Sequence, residues 1–325
     1  MITRKDPATT RIRYSFLKIL TGSDLSRRRL PLMAAESVLP GPVVWLTACA
    51  HGDEVGGIIV IQEVFKRIRR HKLLRGSVLA FPLMNPIGFE TATRNITVSQ
   101  EDLNRSFPGD QHGSLGERIA HRISSYIVQT QPALVLDLHN DWMNSIPYTV
   151  LDPDPGTEHR TAYEVAVQSS LRSGFLVIQE NEPLQTTLSG SLLQQNIPAL
   201  TLELGGSYVV HERNITHGLQ AVWGLLSALE VVRPLDGTQP LTVPEGYADR
   251  VLHYSDRPYS SSSGIIRFLA RPGDRVTLGQ PIAEVYNAFG KMQERLVALN
   301  DSIVLGHADS SVVFPGMPVM AFGIG

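Results

Sequence analysis

The sequence predicts an α/β fold in which parallel strands alternate with helices, followed by a smaller all-β domain. Short apolar runs at 43–50, 77–84 and 133–138 are typical of strands that are buried on both faces. Between these runs, residues 55–70 and 117–129 carry apolar side chains at helical spacing. Buried strands that alternate with amphipathic helices indicate βαβ units and a parallel sheet.

The pattern changes near residue 235. The stretch 234–246, rich in Pro, Gly and Thr, is the best candidate for a linker. Beyond it, short β-type runs are broken by Gly and Pro, which is typical of an all-β unit. We therefore predict two domains, a larger one over residues 1–235 and a C-terminal β-domain over residues 247–325.

The remaining predicted elements complete the larger domain. In chain order they are a half-exposed strand at 11–20, a basic and irregular stretch at 21–37, a long polar loop at 87–110, helices at 162–172, 188–195 and 214–232, and strands at 175–178 and 197–204. Long ordered loops inside compact domains are usually functional, so the polar loop is a place to look for a site.

Composition limits the range of functions. The 325 residues are 42% hydrophobic and 18% charged, as expected of a globular protein with a sizeable core. A net charge of −2 leaves no basic surplus to hold nucleic acid or an anionic membrane, and no apolar segment approaches the length of a membrane span. Cys49 is the single cysteine, so no internal disulfide is possible, and we expect a cytoplasmic protein in which Cys49 is a small buried apolar residue.

His51-Gly52-Asp53-Glu54 follows the first buried run, where a strand passes into a helix. In open α/β sheets, ligands bind at the carboxyl ends of the strands. A histidine and a carboxylate three residues apart can reach one cation if the backbone turns tightly between them, and Gly52 permits such a turn. The alternative is that Glu54 caps the following helix and His51 is an ordinary polar loop residue.

Two more predicted strands end in side chains of the same kind. One runs directly into His139, and the other carries Glu203 near its end. If these strands are parallel neighbours, both side chains lie close to His51 and Glu54. Two imidazoles and one carboxylate form a known three-ligand set for catalytic zinc, which His51, Glu54 and His139 can supply. Glu203 then remains unbound and is a candidate general base. The alternative for Glu203 is a purely structural pairing with an arginine.

The polar loop supplies Arg94, Asn104 and Arg105. A guanidinium placed against a developing oxyanion stabilises its charge, and the same planar group binds a substrate carboxylate with two prongs. We expect the two arginines to divide these tasks, with Asn104 as a further hydrogen-bond donor. The alternative for each arginine is a solvated surface side chain.

Three aspartates lie near these residues in the sequence: Asp53, Asp102 and Asp137. Any of them could orient a ligand imidazole, and the sequence leaves the choice open. The motifs of several other enzyme classes are absent, since the chain has no GxSxG elbow, no Gly-rich phosphate loop, no HExxH and no CxxC pair.

Taken together and in order, these motifs resemble the succinylglutamate desuccinylase/aspartoacylase family, a branch of the zinc-carboxypeptidase-like hydrolases. The motifs that carry the resemblance are His51-Gly52-Asp53-Glu54, Asn85-Pro86, Arg94, Asp102-Leu103-Asn104-Arg105 with Phe107-Pro108-Gly109, Asp137-Leu138-His139 and Glu203-x-Gly205. Each motif alone is weak, so the resemblance rests on their number and order between residues 51 and 205.

The resemblance implies a carboxypeptidase-like mixed sheet flanked by helices, with the C-terminal β-domain that follows the catalytic part in this family. It implies one zinc ion per chain, held by His51, Glu54 and His139. Members of the family release an acyl group from a small N-acyl amino acid, for example acetyl-aspartate, succinyl-glutamate or acetyl-diaminobutyrate.

The resemblance also assigns roles to four other residues. Glu203 is implied as the general base and Arg94 as the group at the polarised carbonyl. Asn104 and Arg105 are implied at the substrate carboxylate. The expected partner is thus a small-molecule substrate, with neither nucleic acid nor a membrane involved, and a homo-oligomer is possible.

Three functions remain open from the sequence. The first is a zinc-dependent deacylase in which Glu203 assists the attack of metal-bound water on the amide. A metallocarboxypeptidase would use the same groups but needs an open groove for peptides, and the loop motif and the β-domain favour the deacylase. A non-catalytic metal-dependent binding protein fits less well, because a pure binder has no need of Glu203.

Overall fold

A computed structural model describes residues 9–21, 27–181, 185–235, 246–247 and 249–325. Its strands are β1 (Thr10–Thr21), β2 (Arg27–Ser37), β3 (Val43–Ala48), β4 (Ser77–Phe81), β5 (Leu134–His139), β6 (Asn144–Ser145), β7 (Tyr148–Leu151), β8 (Leu176–Gln179), β9 (Ala199–Glu203), β10 (Val251–Ser255), β11 (Gly264–Phe268), β12 (Arg275–Val276), β13 (Pro281–Tyr286), β14 (Met292–Val297), β15 (Ser302–His307), β16 (Val312–Val313) and β17 (Met320–Ile324). Its α-helices are α1 (Gly56–His71), α2 (Pro86–Thr91), α3 (Leu115–Gln129), α4 (Arg160–Arg172), α5 (Leu188–Leu193) and α6 (Glu212–Ala228).

One large mixed sheet runs through the molecule, and its centre is parallel. Across the sheet the order is β1-β2-β4-β3-β5-β9-β7-β8-β10-β17-β15-β12, and β6 pairs with β15. The strands β4, β3, β5 and β9 run parallel to one another, whereas β7 runs antiparallel to β9. The carboxyl ends of β3, β5 and β9 therefore meet at one edge, where ligands bind in α/β folds.

Helices cover both faces of the parallel centre, as the mixed α/β prediction requires. On one face Val64 of α1 and Val222 of α6 belong to the same buried cluster as Leu46 of β3. On the other face α3 and α5 belong to a cluster around Trp45, whose side chain is fully buried. Burial of each such side chain contributes roughly 1.5–3 kcal/mol to folding, and burial on both faces explains why these strands are continuous apolar runs.

The C-terminal strands form a second, smaller antiparallel sheet with the order β14-β13-β11-β16. Its apolar side chains, among them Ile266, Val285 and Leu296, make a core of their own. Other C-terminal strands extend the large sheet, because β10 pairs in parallel with β8 and antiparallel with β17. The division into domains at 235 and 247 stays a prediction, and most of the proposed linker lies outside the described residues.

Part of the stretch 21–37, expected to be irregular, is a strand instead. Residues 27–37 form β2, which pairs antiparallel with β1 along its length and with β4 from Met33 to Glu36. The sequence does not predict this strand, because the three arginines at 27–29 and Pro31 interrupt the apolar pattern that is typical of strands. Pro31 is tolerated because it lies beyond the residues that pair with β4.

No helix in the described part of the chain combines the length and the apolar character needed to cross a bilayer.

Candidate active site

Three neighbouring parallel strands bring the predicted site residues to one edge of the sheet. His51 follows β3, which pairs with β5, and His139 is the last residue of β5. Glu203 ends β9 and lies directly opposite His139 in the register of β5 and β9. The two imidazole rings lie 5.0 Å apart between their centres. The residues expected to lie together from the sequence are therefore neighbours in space.

His51, Glu54 and His139 form a buried cluster that could hold a metal ion. Glu54 joins the two rings, with Oε1 2.6 Å from Nδ1 of His51 and Oε2 2.8 Å from Nδ1 of His139. One ligand atom from each residue lies within 4.8 Å of the other two. Imidazole nitrogen and carboxylate oxygen bind zinc at about 2 Å, so donors with this spacing fit around one such ion.

Glu54 contributes to this cluster and does not cap α1. The N-cap position is Val55, which makes no side-chain capping bond, while Oε2 of Glu54 accepts the N–H of Asn140 at 3.0 Å. The need for Gly52 comes from packing, because an added Cβ would lie 1.9 Å from the carbonyl carbon of Gly88 in α2. The turn itself is made without a left-handed φ at Gly52.

Two carboxylates hold the far nitrogens of the two rings. Oδ1 of Asp102 lies 3.0 Å from Nε2 of His51, and Oδ2 of Asp137 lies 3.0 Å from Nε2 of His139. Asp53 makes no hydrogen bond to either ring in the described structure. This answers the question that the sequence left open. Carboxylates in these positions fix the orientation of a ligand imidazole and raise its basicity.

The charges within the cluster favour ionised side chains. Burial lowers the pKa of His139, but the Asp137 and Glu54 carboxylates outweigh it and hold that pKa well above its ordinary value. Burial likewise raises the pKa of Glu54, and the two neighbouring imidazoles reverse this effect and lower it. The cluster is thus a compact set of partly compensating charges in which a divalent cation can replace the imidazole protons.

Glu203 lies beside this cluster and lines the same cavity. Its Oε2 is shielded from solvent and has no hydrogen-bond partner in the described part of the chain. Burial raises the pKa of Glu203 well above its ordinary value; His139 opposes the rise, and Glu54 and Asp141 add to it. A carboxyl group in such surroundings is suited to taking and returning a proton near neutral pH.

Arg94 reaches the cluster from the polar loop. Its Nη2 and Nε donate to Oδ2 of Asp102 at 3.0 and 3.2 Å, and its Nη1 lies 3.8 Å from Oε1 of Glu54. The side chain is 48% exposed and lines the cavity. Asp102 therefore anchors both the His51 ring and the Arg94 guanidinium.

Asn104 and Arg105 lie on a single 3-10 turn, so the polar loop is more regular than the sequence suggests. Nδ2 of Asn104 lies 3.4 Å from Nε2 of His139, and its Oδ1 accepts the N–H of Leu188 at 2.9 Å. Asn104 thus connects a candidate metal ligand to the start of α5. Arg105 donates to the carbonyl of Asn104 at 2.8 Å and also lines the cavity.

The cavity bounded by these residues has a volume of about 140 Å³. Sites for drug-sized ligands usually enclose about 300–1,000 Å³, so this cavity can take a small molecule or the terminal residue of a larger one.

Asn140 is a site residue that sequence reasoning missed. Its Oδ1 accepts the N–H of Gly56 at 3.1 Å, and its Nδ2 donates to the carbonyls of Gly205 and Gly206 at 2.6 and 3.0 Å. Together with its N–H bond to Glu54, these contacts fix the start of α1 and the loop after β9 around the cluster. Its position directly after His139 was the available signal.

Asp152 and Glu180 also line the cavity and were not predicted. They follow β7 and β8, and the short run 148–151 does not stand out as a strand in the sequence. Because that strand is not predicted, the sequence does not indicate that Asp152 lies at the end of a strand beside the site.

Comparison with known proteins extends these observations. The model of the succinylglutamate desuccinylase/aspartoacylase catalytic domain matches residues 40–229. An N-alpha-acetyl-L-2,4-diaminobutyric acid deacetylase from Halomonas elongata is 28% identical over 288 residues, which cover 85% of this chain and 80% of the relative. A succinylglutamate desuccinylase from Shewanella sp. is 22% identical over 71% of each chain.

Solved structures agree on the fold. An aspartoacylase family protein from Mesorhizobium loti superposes with a TM-score of 0.79 at 22% identity, over 99% of this chain and 97% of that one. A metallo-carboxypeptidase from Burkholderia cenocepacia superposes with a TM-score of 0.53 at 15% identity, over 66% of this chain and 64% of that one. The predicted carboxypeptidase-like fold is confirmed. Because the catalytic-domain match covers more than half of the 325 residues and spans the whole candidate site, the chain belongs to the succinylglutamate desuccinylase/aspartoacylase family.

Proposed function

We propose that this protein is a zinc-dependent hydrolase that cleaves the amide bond of a small N-acyl amino acid. The observation that carries the proposal is the convergence of His51, Glu54 and His139 beside Glu203, whose Oε2 has no hydrogen-bond partner among the described residues. The relatives named as a deacetylase and a desuccinylase support the same reaction class.

The donor set supports zinc as the metal. His51 and His139 would bind it through Nδ1 and Glu54 through a carboxylate oxygen, because these atoms already face one another. Asp102 and Asp137 would keep both rings in the required orientation. Zinc in this position would act as a Lewis acid and lower the pKa of water from about 15.7 to about 7.

Glu203 is the proposed general base. Its shielded Oε2 would accept a proton from the attacking water and pass it to the leaving nitrogen. The raised pKa of Glu203 supports this role, since a carboxylate that is more basic than usual takes a proton more readily.

Arg94 is the proposed stabiliser of the carbonyl oxygen. Asp102 holds the Arg94 guanidinium at the edge of the cluster. The side chain is therefore already in place when negative charge develops on the carbonyl oxygen, and little conformational entropy is lost at that point. Arg105 is the proposed partner of the substrate carboxylate, because it lines the cavity as a planar two-pronged donor. Asn104, whose Nδ2 lies 3.4 Å from the His139 ring, would offer its amide hydrogens to the substrate.

The experiment is a screen of N-acyl amino acids on a sample whose metal content is measured in parallel. The panel includes acetyl-aspartate, succinyl-glutamate and acetyl-diaminobutyrate, with a C-terminal peptide ladder as the test for carboxypeptidase activity. We expect about one zinc per chain and release of the acyl group from at least one small substrate. Trimming of the peptides alone would replace the deacylase with a carboxypeptidase. Tight binding without any product at full zinc occupancy would indicate a binding protein.

Glu203→Gln tests the mechanism on the same sample. We expect zinc content to stay near one per chain while kcat falls by about 10²–10⁴-fold, as loss of a proton-transfer group does. Glu164→Gln on α4 is the matched control, because its side chain is 66% exposed and does not line the cavity. An unchanged kcat in Glu203→Gln would remove this residue from the mechanism.

A further inference from the structure

Two carboxylates that the proposed mechanism does not use, Asp152 and Glu180, line the cavity. Each is the first residue after its strand, and the last residues of β7 and β8 are paired in parallel register as Leu151 and Gln179. The N–H of Glu180 continues the ladder by donating to the carbonyl of Leu151 at 3.1 Å. Paired strands lie about 4.8 Å apart, so the two acidic side chains leave the sheet side by side.

Asp152 has an unsatisfied carboxylate oxygen. The residue is 7% exposed, and its Oδ2 is shielded from solvent without a hydrogen-bond partner in the described structure. Burial raises the pKa of Asp152 to about 6, although a hydrogen bond from Ser189 favours its ionised form. A buried, unpaired carboxylate is costly unless a cation or a donor faces it. Within the described residues, no lysine or arginine forms an ion pair with Asp152.

Glu180 adds a second negative charge at the same place. Burial raises its pKa and the neighbouring Asp152 raises it further, with Arg105 opposing the rise. Arg105 forms no ion pair with Glu180 among the described residues, and its Nη1 donates to the carbonyl of Asn104 instead. Among the described residues, these two neighbouring carboxylates therefore have no ion-pair partner.

This acidic pair lies away from the reacting end of the cavity. In the antiparallel pairing of β7 and β9, Tyr148 lies opposite Glu203 and Val150 lies opposite Thr201. Asp152 is four residues beyond Tyr148, which corresponds to about 13 Å along the strand at about 3.3 Å per residue. Side chains that lean into the cavity shorten this distance. A ligand that reacts beside Glu203 and reaches Asp152 therefore carries its contacting group several bonds from the amide.

We propose that Asp152 and Glu180 bind an ammonium group of the substrate. The protein would then prefer N-acyl amino acids with a positive charge remote from the amide over neutral or acidic ones. This inference rests on the proposed deacylase function. An ammonium group is compact enough for the cavity, and it supplies up to three N–H donors, one of which can satisfy the unpartnered Oδ2 of Asp152. An acidic substrate side chain would meet two like charges at this position.

The test compares substrates that differ only in the ammonium group. The first series is the Nα-acetylated diamino acids with two, three or four side-chain carbons, each against the same chain without the amine, with Nα-acetyl-glutamate as the acidic member. A second series places the amine on the acyl group, as in N-(4-aminobutyryl)-norvaline against N-pentanoyl-norvaline. We expect kcat/KM at least tenfold higher for an ammonium substrate than for its neutral partner, in whichever series matches the bound orientation.

Asp152→Asn and Glu180→Gln test the assignment to these residues. Each variant is expected to reduce the ratio of kcat/KM between ammonium and neutral substrates to within about threefold of one. Glu164→Gln should leave the wild-type ratio in place, since this exposed glutamate does not line the cavity. If Asp152→Asn fails to fold, Glu180→Gln decides the question, because Glu180 is only partly buried. An equal ratio in wild type, or a ratio that neither variant changes, would overturn the inference.

A binding measurement separates this inference from the proposed function. Calorimetric titration of the zinc-loaded protein with free ornithine and with free norvaline does not depend on turnover. We expect ornithine to bind at least tenfold more tightly than norvaline, and the difference to disappear in both variants. Failure to hydrolyse any N-acyl amino acid, with this preference intact, would refute the deacylase alone. Hydrolysis without any preference for the amine would refute the ammonium site alone.

Discussion

Replacing Asp102 with asparagine removes a carboxylate that serves two partners at once. Oδ1 lies 3.0 Å from Nε2 of His51 and also accepts the N–H of Asn104 at 2.8 Å. Oδ2 accepts both Nη2 and Nε of Arg94. Asparagine keeps one acceptor oxygen and places an NH₂ group where the other was. That group faces either a ring N–H or a guanidinium, so one of the two contacts is lost, and the other is weakened because its acceptor no longer carries a charge.

The size of the expected effect follows from these two contacts. Loss of a partner that orients a ligand imidazole typically weakens metal binding by about 10–100-fold, or about 1.4–2.8 kcal/mol. Arg94 is half exposed, and Asp102 is the main anchor of its guanidinium. Asp102→Asn should therefore also reduce kcat/KM when zinc is saturating, because Arg94 is no longer held at the site.

Asp137→Asn is the matched control. Asp137 holds Nε2 of His139 at 3.0 Å and accepts the hydroxyl of Thr47 at 2.6 Å. A hydroxyl can accept as well as donate, so an asparagine NH₂ can face Thr47 while its oxygen keeps the ring contact. Asp137 has no contact with Arg94 among the described ion pairs. This variant should bind zinc no more weakly than Asp102→Asn does, and it should recover nearly full activity once zinc is saturating.

Competition with a chromophoric chelator measures zinc affinity, and initial rates at rising zinc concentration measure the activity that can be restored. The reasoning is refuted if Asp102→Asn binds zinc like wild type. It is also refuted if saturating zinc restores full activity to Asp102→Asn.

Two further predictions concern stability. Because burial raises the pKa of Asp152 from 3.8 to about 6, the folded protein keeps a proton that the unfolded chain releases, and its stability falls as the pH rises from about 4 to 6. Relative to wild type, Asp152→Asn should therefore gain up to about 3 kcal/mol of unfolding free energy over that range in urea titrations, and a difference independent of pH would contradict this. Gly52→Ala should destabilise the fold by about 3 kcal/mol or more, because the new Cβ meets the backbone of Gly88. Gly224→Ala on α6 has open space around its Cβ and should stabilise by about 0.5–1 kcal/mol in the same urea assay.

The parallel centre of the fold was predictable because its strands are buried on both faces and its helices are amphipathic. The observed α1 and α3 begin and end within two residues of the predicted bounds. The edge strand β1 was also predictable, at 11–20 against the observed Thr10–Thr21. Strand β2 beside it was not, since it begins with three arginines and contains Pro31. Strand β7 has only four residues, too few for a clear period.

The residues of the candidate site were easier to predict than their contacts. His51 and Glu54 form a pattern in the sequence, and His139 ends a strongly apolar strand. The pairing of Asp102 with His51 depends on how the polar loop folds back, since the two residues are 51 positions apart in the sequence. Such a contact leaves no local period or spacing in the chain, so only the three-dimensional structure reveals it.

The alignment of β10 on β8 has a consequence for how the two parts of the chain depend on each other. Backbone groups of Val177 and Gln179 that would otherwise face solvent are paired with Val251 and His253. A chain truncated before β10 would expose β8 as an edge strand. Its unpaired backbone N–H and C=O groups could then form β-sheet hydrogen bonds with a neighbouring molecule. The β-rich tail therefore shields the larger part from self-association as well as following it in the chain.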